Sequence, residues 1–144
     1  MSSEENKSVV LRGWYQELWD KWNIELADEL FTDDYQLHLT GVPEPLSRDA
    51  IKQVLAMFNR AFPDVRHAVD ETIAEGNTVA ARWTVTGTHT GEFQGIVATG
   101  KPVRLSGITV HHLAGGRIRE TWLAVDNLEL MQQIGAIPTA GRAA

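Results

Sequence analysis

Moving a carbon-bound proton near neutral pH needs an imidazole or a carboxylate held beside the substrate, and this chain has five histidines to offer. Two of them are adjacent. In Gly107-Ile108-Thr109-Val110-His111-His112 the neighbours must point to opposite faces of a strand, so one of the pair can face an interior. A two-residue loop at Gly115-Gly116 would put His111 on the face of Ile118, Trp122 and Asp126; a three-residue loop would put His112 there. His38 lies on the polar face of an alternating stretch and is either a pocket base or a solvated histidine. Asp126 offers a carboxylate, yet Glu129 three positions on, with Leu128, Leu130 and Met131 around it, is the spacing of a helix start and favours a capping role. His89 sits in a glycine-bounded connection, Gly87 to Gly100, and is read either as a pocket rim or as part of a plain link between strands.

The histidines show no helical His-x-x-x-His spacing, and the chain has no cysteine, so no metal site and no disulfide is expected. No phosphate-cradling glycine loop and no Gly-x-Ser-x-Gly turn occurs, which leaves nucleotide cofactors and a serine nucleophile without support.

Val10, Trp14, Leu18 and Trp22 recur every four residues within a predicted helix from Glu4 to Trp22. Asn23 is expected to cap a short helix through Phe31, and Thr32-Asp33-Asp34 to turn the chain. Tyr35 to Thr40 alternates as a half-buried strand. Ser47 precedes a helix whose inward residues are Ile51, Val54, Leu55, Phe58 and Phe62, ended by Pro63. Four runs rich in Val, Ile, Thr and Trp follow: Val65 to Ala74, Thr78 to His89, Val103 to Leu113 and Ile118 to Val125, read as an antiparallel meander. Asp126 then opens a last helix, Asn127 to Ile134, stopped by Gly135.

With 144 residues and an ordinary apolar content of 43%, the chain is expected to form one domain over residues 1–144, frayed at residues 1–5 and 139–144. The net charge of -6 disfavours nucleic acid and anionic membrane surfaces as partners. The polar start MSSEENKS is unlike a secretory signal, and a cytoplasmic location is expected.

Several motifs together carry a likeness. Phe62-Pro63-Asp64, Ala74-Glu75-Gly76-Asn77-Thr78-Val79-Ala80-Ala81-Arg82-Trp83, Gly87-Thr88-His89-Thr90-Gly91-Glu92-Phe93 and Gly115-Gly116-Arg117-Ile118-Arg119-Glu120-Thr121-Trp122 resemble, in order, the pattern of the SnoaL-like polyketide cyclases. The resemblance implies a cone-shaped NTF2-like α+β barrel in which a curved antiparallel sheet and N-terminal helices enclose one pocket. It implies a cofactor-independent cyclase of polyketide-type biosynthesis that closes rings in a small apolar substrate by acid–base catalysis, and a homodimer. It points to His111 as the catalytic histidine, and to Tyr15 as the position of an oxyanion donor in NTF2-like isomerases. Leu123 stands where the aldol-condensing relatives carry their acid, a departure that puts the aldol mechanism itself in question.

The expected catalytic set is therefore His111, Asp126, His38 and Tyr15, within a pocket of Trp14, Phe58, Trp83, His89, Trp122 and Leu123. An isomerase on the same scaffold, or a non-catalytic small-molecule-binding dimer, are the alternatives.

Overall fold

The computed structural model describes residues 1–138. The tail expected to fray, residues 139–144, lies outside the described residues. At the other end helix α1 (Ser3–Val9) begins inside the stretch expected to fray. The reason is a reciprocal cap: the Ser2 hydroxyl accepts from the Glu5 backbone N–H, and the Glu5 carboxylate accepts from the Ser2 backbone N–H. The helix then runs on as a π-wound segment, Val10–Asp20, that buries Val10, Trp14, Tyr15 and Leu18. Fully buried Asn6 ties its start to the sheet by donating to the Gly76 carbonyl and the Asn77 side chain.

A single 3₁₀ turn, Ile24–Leu26, leads into the short helix α2 (Ala27–Leu30). Asn23 makes no side-chain cap there, contrary to expectation. The helix is instead held at its other end, where the Arg117 guanidinium donates to the carbonyls of Asp28 and Glu29. The chain does not turn at Thr32-Asp33-Asp34 either. Strand β1 (Phe31–Leu39) runs through these residues with a break in its register between Phe31 and Gln36. The acids tolerate this because β1 is an edge strand, where Asp33 pairs with Arg48 at 3.0 Å.

Ser47 caps helix α3 (Arg48–Ala61) as expected, and strands β2 (Arg66–Glu75), β3 (Thr78–Thr88), β4 (Pro102–Ala114) and β5 (Arg117–Val125) follow before helix α4 (Asn127–Gln133). The five-stranded sheet has the order β1-β5-β4-β3-β2, its last four strands an antiparallel meander. β1 joins the edge in parallel with β5, so the sheet is mixed. In that register Leu37 and Leu39 extend the inner-face rows of Thr121 and Leu123.

Two glycines with positive φ, Gly115 (58°) and Gly116 (79°), close the β4–β5 hairpin with a two-residue loop. A bulge then follows between His112 and Leu113 on one side and Ile118 and Glu120 on the other, which resets the parity of β5. His111 consequently opposes Thr121 inside, and Trp122 is turned outward, against the expectation that both face the same way.

The helices pack on the inner face around Trp14, Leu18, Phe31, Tyr35, Leu55 and Ile118. A second cluster, with Phe62, Phe93, Leu130 and Ile134, closes the end of the cone between α3 and α4. Among the described residues no helix is long and apolar enough to cross a membrane.

Candidate active site

Between these two clusters lies a cavity of about 100 Å³. Its walls come from the π-wound segment (Trp14, Trp19), from α3 (Val54, Phe58) and from the inner face of the sheet (Trp83, Leu105, Leu123). A groove outside shares Leu39, Val54, Phe58, Asn127 and Leu130 with it and continues past Met57, Phe93 and Met131, so the mouth opens between α3 and α4. Gly107 makes one wall possible: a Cβ there would stand 2.3 Å from the Trp83 ring, so only glycine lets the indole lie flat across β4.

Among the described residues His67 is the one ionisable side chain in this lining. It enters from β2 through the alternation Val65, His67, Val69, which keeps its ring on the inner face. Its Nδ1 lies 2.8 Å from Asp20 Oδ1, and the same carboxylate accepts the His67 backbone N–H at 3.0 Å. Asp20 is the last residue of the π-wound segment, so the end of one helix sets the ring's angle. Tyr15, Trp19 and Trp83 pack edge-on around the imidazole, with ring centroids 5.3–5.9 Å away. With Nδ1 committed to the carboxylate, Nε2 is left without a partner among the described residues, and it is not sealed off. An aspartate that orients an imidazole and stabilises its protonated form is the arrangement of a general base.

The SnoaL-like polyketide cyclase family model matches residues 9–134. The chain belongs to the SnoaL-like polyketide cyclase family. Among solved structures, AclR of Streptomyces galilaeus, described as a candidate hydroxylase, superposes with a TM-score of 0.84 at 26% identity, covering 98% of this chain and 87% of that one. A candidate polyketide cyclase from Acidithiobacillus ferrooxidans gives 0.80 at 31% identity, covering 93% and 97%. IdmH of Streptomyces antibioticus, also described as a candidate polyketide cyclase, gives 0.78 at 26% identity, covering 94% and 99%. No curated protein matches.

For this SnoaL-like chain the residues expected to act are scattered. Trp14, Phe58, Trp83 and Leu123 line the cavity, whereas Trp122, His89, His111, Tyr15 and His38 do not. His111 faces inward but is sealed, with Nδ1 2.9 Å from the Thr121 hydroxyl, Nε2 without a partner and Trp14 packed on its ring. Burial drives its pKa down to about 3, so it is neutral and out of reach of a substrate. Tyr15 is likewise buried; its hydroxyl bonds Thr109, and burial pushes its pKa above the ordinary tyrosine value. It touches the site only through its edge contact with His67.

His38 and Trp122 are on the outer face. The two rings stack there at 5.0 Å, and His38 Nε2 sits 2.6 Å from Glu120. Asp126 caps α4 by accepting the Glu129 N–H at 2.9 Å; Glu129 does not return the bond but accepts from Gln133, so only half of the expected capping box forms. His89 is buried where the β3–β4 connection folds back, with the Thr99 backbone N–H donating to its Nδ1, and it pins that loop rather than forming a rim. Among the described residues no three His, Asp or Glu side chains gather as metal ligands.

His67 is not among the residues expected to act. A histidine that interrupts an otherwise apolar inner row between Val65 and Val69 was the signal available.

Proposed function

We propose that this chain is a ring-closing enzyme acting on a small, apolar, polyketide-type substrate, with the Asp20–His67 pair as its acid and base. The observation that carries the reading is a single imidazole, oriented by a carboxylate, in an otherwise apolar cavity of a SnoaL-like cyclase. His67 Nε2 takes a proton from a carbon beside a carbonyl. The enolate carbon attacks a second carbonyl of the same molecule, and the imidazolium returns the proton to the new alkoxide oxygen. Atoms balance without a cofactor. One group does both transfers, which supplies the proton handling that Leu123 cannot.

The test has two parts. Wild-type protein is expected to catalyse deuterium exchange into the methyl group of acetophenone, and His67→Ala to lower the rate by about 10²- to 10⁴-fold. A linear aryl poly-β-keto ester should yield a product of unchanged mass with a new ring carbon–carbon bond by NMR. Exchange unaffected by loss of the imidazole removes His67 from the chemistry, and wild-type exchange no faster than the uncatalysed rate leaves a non-catalytic ligand-binding module. Exchange that depends on His67, without ring formation from the linear ester, favours an isomerase, because a single base also suits a proton shift along one face.

Self-association through the outer face of the sheet is part of the same proposal. Ile73, Ala80, Val110 and Trp122 follow one another across four strands, and Ile108 and Ala124 pair in the row beside them. Ile73 and Ile108 are more than half exposed in the single chain, at 62% and 51%. An apolar band of this kind on an otherwise charged chain is the usual mark of a homodimer surface.

A further inference from the structure

The cavity beside His67 is smaller than one aromatic ring requires. At about 100 Å³ it falls below the roughly 150 Å³ that a benzene-sized guest takes up in an apolar protein core. A ligand that sets a carbon against the imidazole therefore leaves most of its length outside. That length meets the groove between α3 and α4, a space of about 340 Å³. Leu39, Val54, Phe58, Asn127 and Leu130 line both spaces and form the neck between them. The groove follows from helical period. Val54, Met57, Phe58 and Ala61 fall on one stripe of α3, and Leu130, Met131 and, at the C-cap, Ile134 on one stripe of α4. Ala61 and Ile134 are fully buried in the second cluster, whereas Met57 and Met131 are half-buried and line the groove. The two compartments also differ in kind: Trp14, Trp19 and Trp83 give the inner one rigid walls, while the thioethers of the outer one can re-pack around varied shapes.

We propose that the groove walled by Met57, Phe93 and Met131 is a second ligand subsite, which holds the body of an elongated apolar molecule while only its slim end passes the neck to His67. The inference rests on the reading of His67 as the base and deepens it by dividing the site into a selective inner compartment and an adaptable outer one. The occupant of the groove is the remainder of the cavity's own ligand, because the two spaces share five wall residues and the inner one cannot enclose a whole ring.

The experiment reads how affinity depends on length. Ethylbenzene is the reporter in ligand-observed NMR, and butylbenzene and hexylbenzene compete with it. In wild type the affinity is expected to rise about fourfold for each added methylene, with hexylbenzene displacing ethylbenzene one for one. Met131→Trp fills the groove without touching the inner walls, and is expected to weaken hexylbenzene by about tenfold while ethylbenzene stays within about twofold of wild type. If Met131→Trp does not fold, Met57→Gln and Met131→Gln keep the side-chain length, place an amide on either wall and should weaken hexylbenzene by about three- to tenfold. Affinity that levels off at ethylbenzene overturns the proposal and leaves the groove to some other occupant, such as a segment of another protein. Hexylbenzene that binds without displacing ethylbenzene, or a gain with length that survives in every variant, overturns it as well. None of these readouts involves turnover, so the subsite stands or falls apart from the His67→Ala result.

Discussion

Asp20 grips His67 at two points, its Oδ1 lying 2.8 Å from the ring Nδ1 and 3.0 Å from the backbone N–H. One carboxylate thereby fixes both where β2 starts and which nitrogen of the imidazole faces the cavity. The double hold makes the tautomer a property of the fold, not of the substrate. It also puts the base at the seam between the helical layer and the sheet, so any shift of the π-wound segment moves the chemistry with it.

Asp20→Asn separates orientation from charge. The amide still accepts through its oxygen, but it can equally turn its NH₂ toward Nδ1 and stabilise the wrong tautomer. Deuterium exchange into acetophenone is expected to fall by about 10²- to 10⁴-fold while the melting temperature moves by only a few degrees. Full activity in this variant would mean that the carboxylate is a structural tether alone.

His111 predicts an acid sensitivity that has nothing to do with catalysis. Its folded pKa is depressed to about 3, against an ordinary value of 6.5, so between these limits the unfolded chain binds a proton that the folded chain refuses. Its contribution is therefore intact above pH 6.5 and is lost as pH falls toward 3. At pH 5 the loss amounts to roughly 2 kcal/mol. Denaturation of His111→Phe at pH 7 and pH 5 should show a smaller drop between the two than wild type shows. Equal drops would place the titrating group elsewhere.

How much of this could be read in the chain depends on what each signal averages over. The strands from Val65 to Val125 and the helix after Ser47 were legible because hydrophobic period and turn residues act over many positions and reinforce one another. Single-residue orientation was not, because one bulge between His112 and Leu113 inverts the parity of everything after it. That is why His111 faces inward, as a two-residue loop requires, while Trp122, expected on the same face with that loop, is on the outer one. Asp126 shows the converse, since its spacing to Glu129 is local and the cap follows from it directly. The Asp20–His67 pair is 47 residues apart in sequence and joins a helix end to a strand start. Neither residue's neighbours announce the other. The histidine breaking an apolar row was the only half of the pair with a readable mark.

Gly107→Ala tests the packing that shapes the wall. The added methyl would meet the Trp83 ring at 2.3 Å and the Ala124 carbonyl at 2.7 Å, and the carbonyl belongs to a paired strand that has little room to give. A loss of about 1–3 kcal/mol in stability is expected, together with weaker binding of acetophenone and ethylbenzene alike. Stability and binding both unchanged would show that the indole has room to move and that its position is not fixed by the glycine.

Asp126→Ala distinguishes a cap from a catalyst. Losing the bond to the Glu129 N–H should cost about 1 kcal/mol in urea denaturation and leave exchange by the His67 site within a few-fold of wild type. A collapse of exchange with stability intact would return this carboxylate to the mechanism.

The outer face supplies the last prediction. Ile108 is half exposed at 51% on the central strand β4, with Ala124 beside it on β5 and Arg82 beside it on β3, so it stands where the apolar band meets its charged rim. Burying one glutamate there, where Arg82 already serves Asp70 and Glu71, is far more costly than placing it in water, whereas in the single chain it would simply be solvated. Ile108→Glu should therefore shift the protein from dimer to monomer in sedimentation equilibrium while the far-UV spectrum stays the same. His38, His112 and Glu120 adjoin Trp122 on the same face, so wild-type Trp122 emission should also change on dissociation. A wild type that sediments as a monomer at every concentration would leave this face without a second copy to cover it.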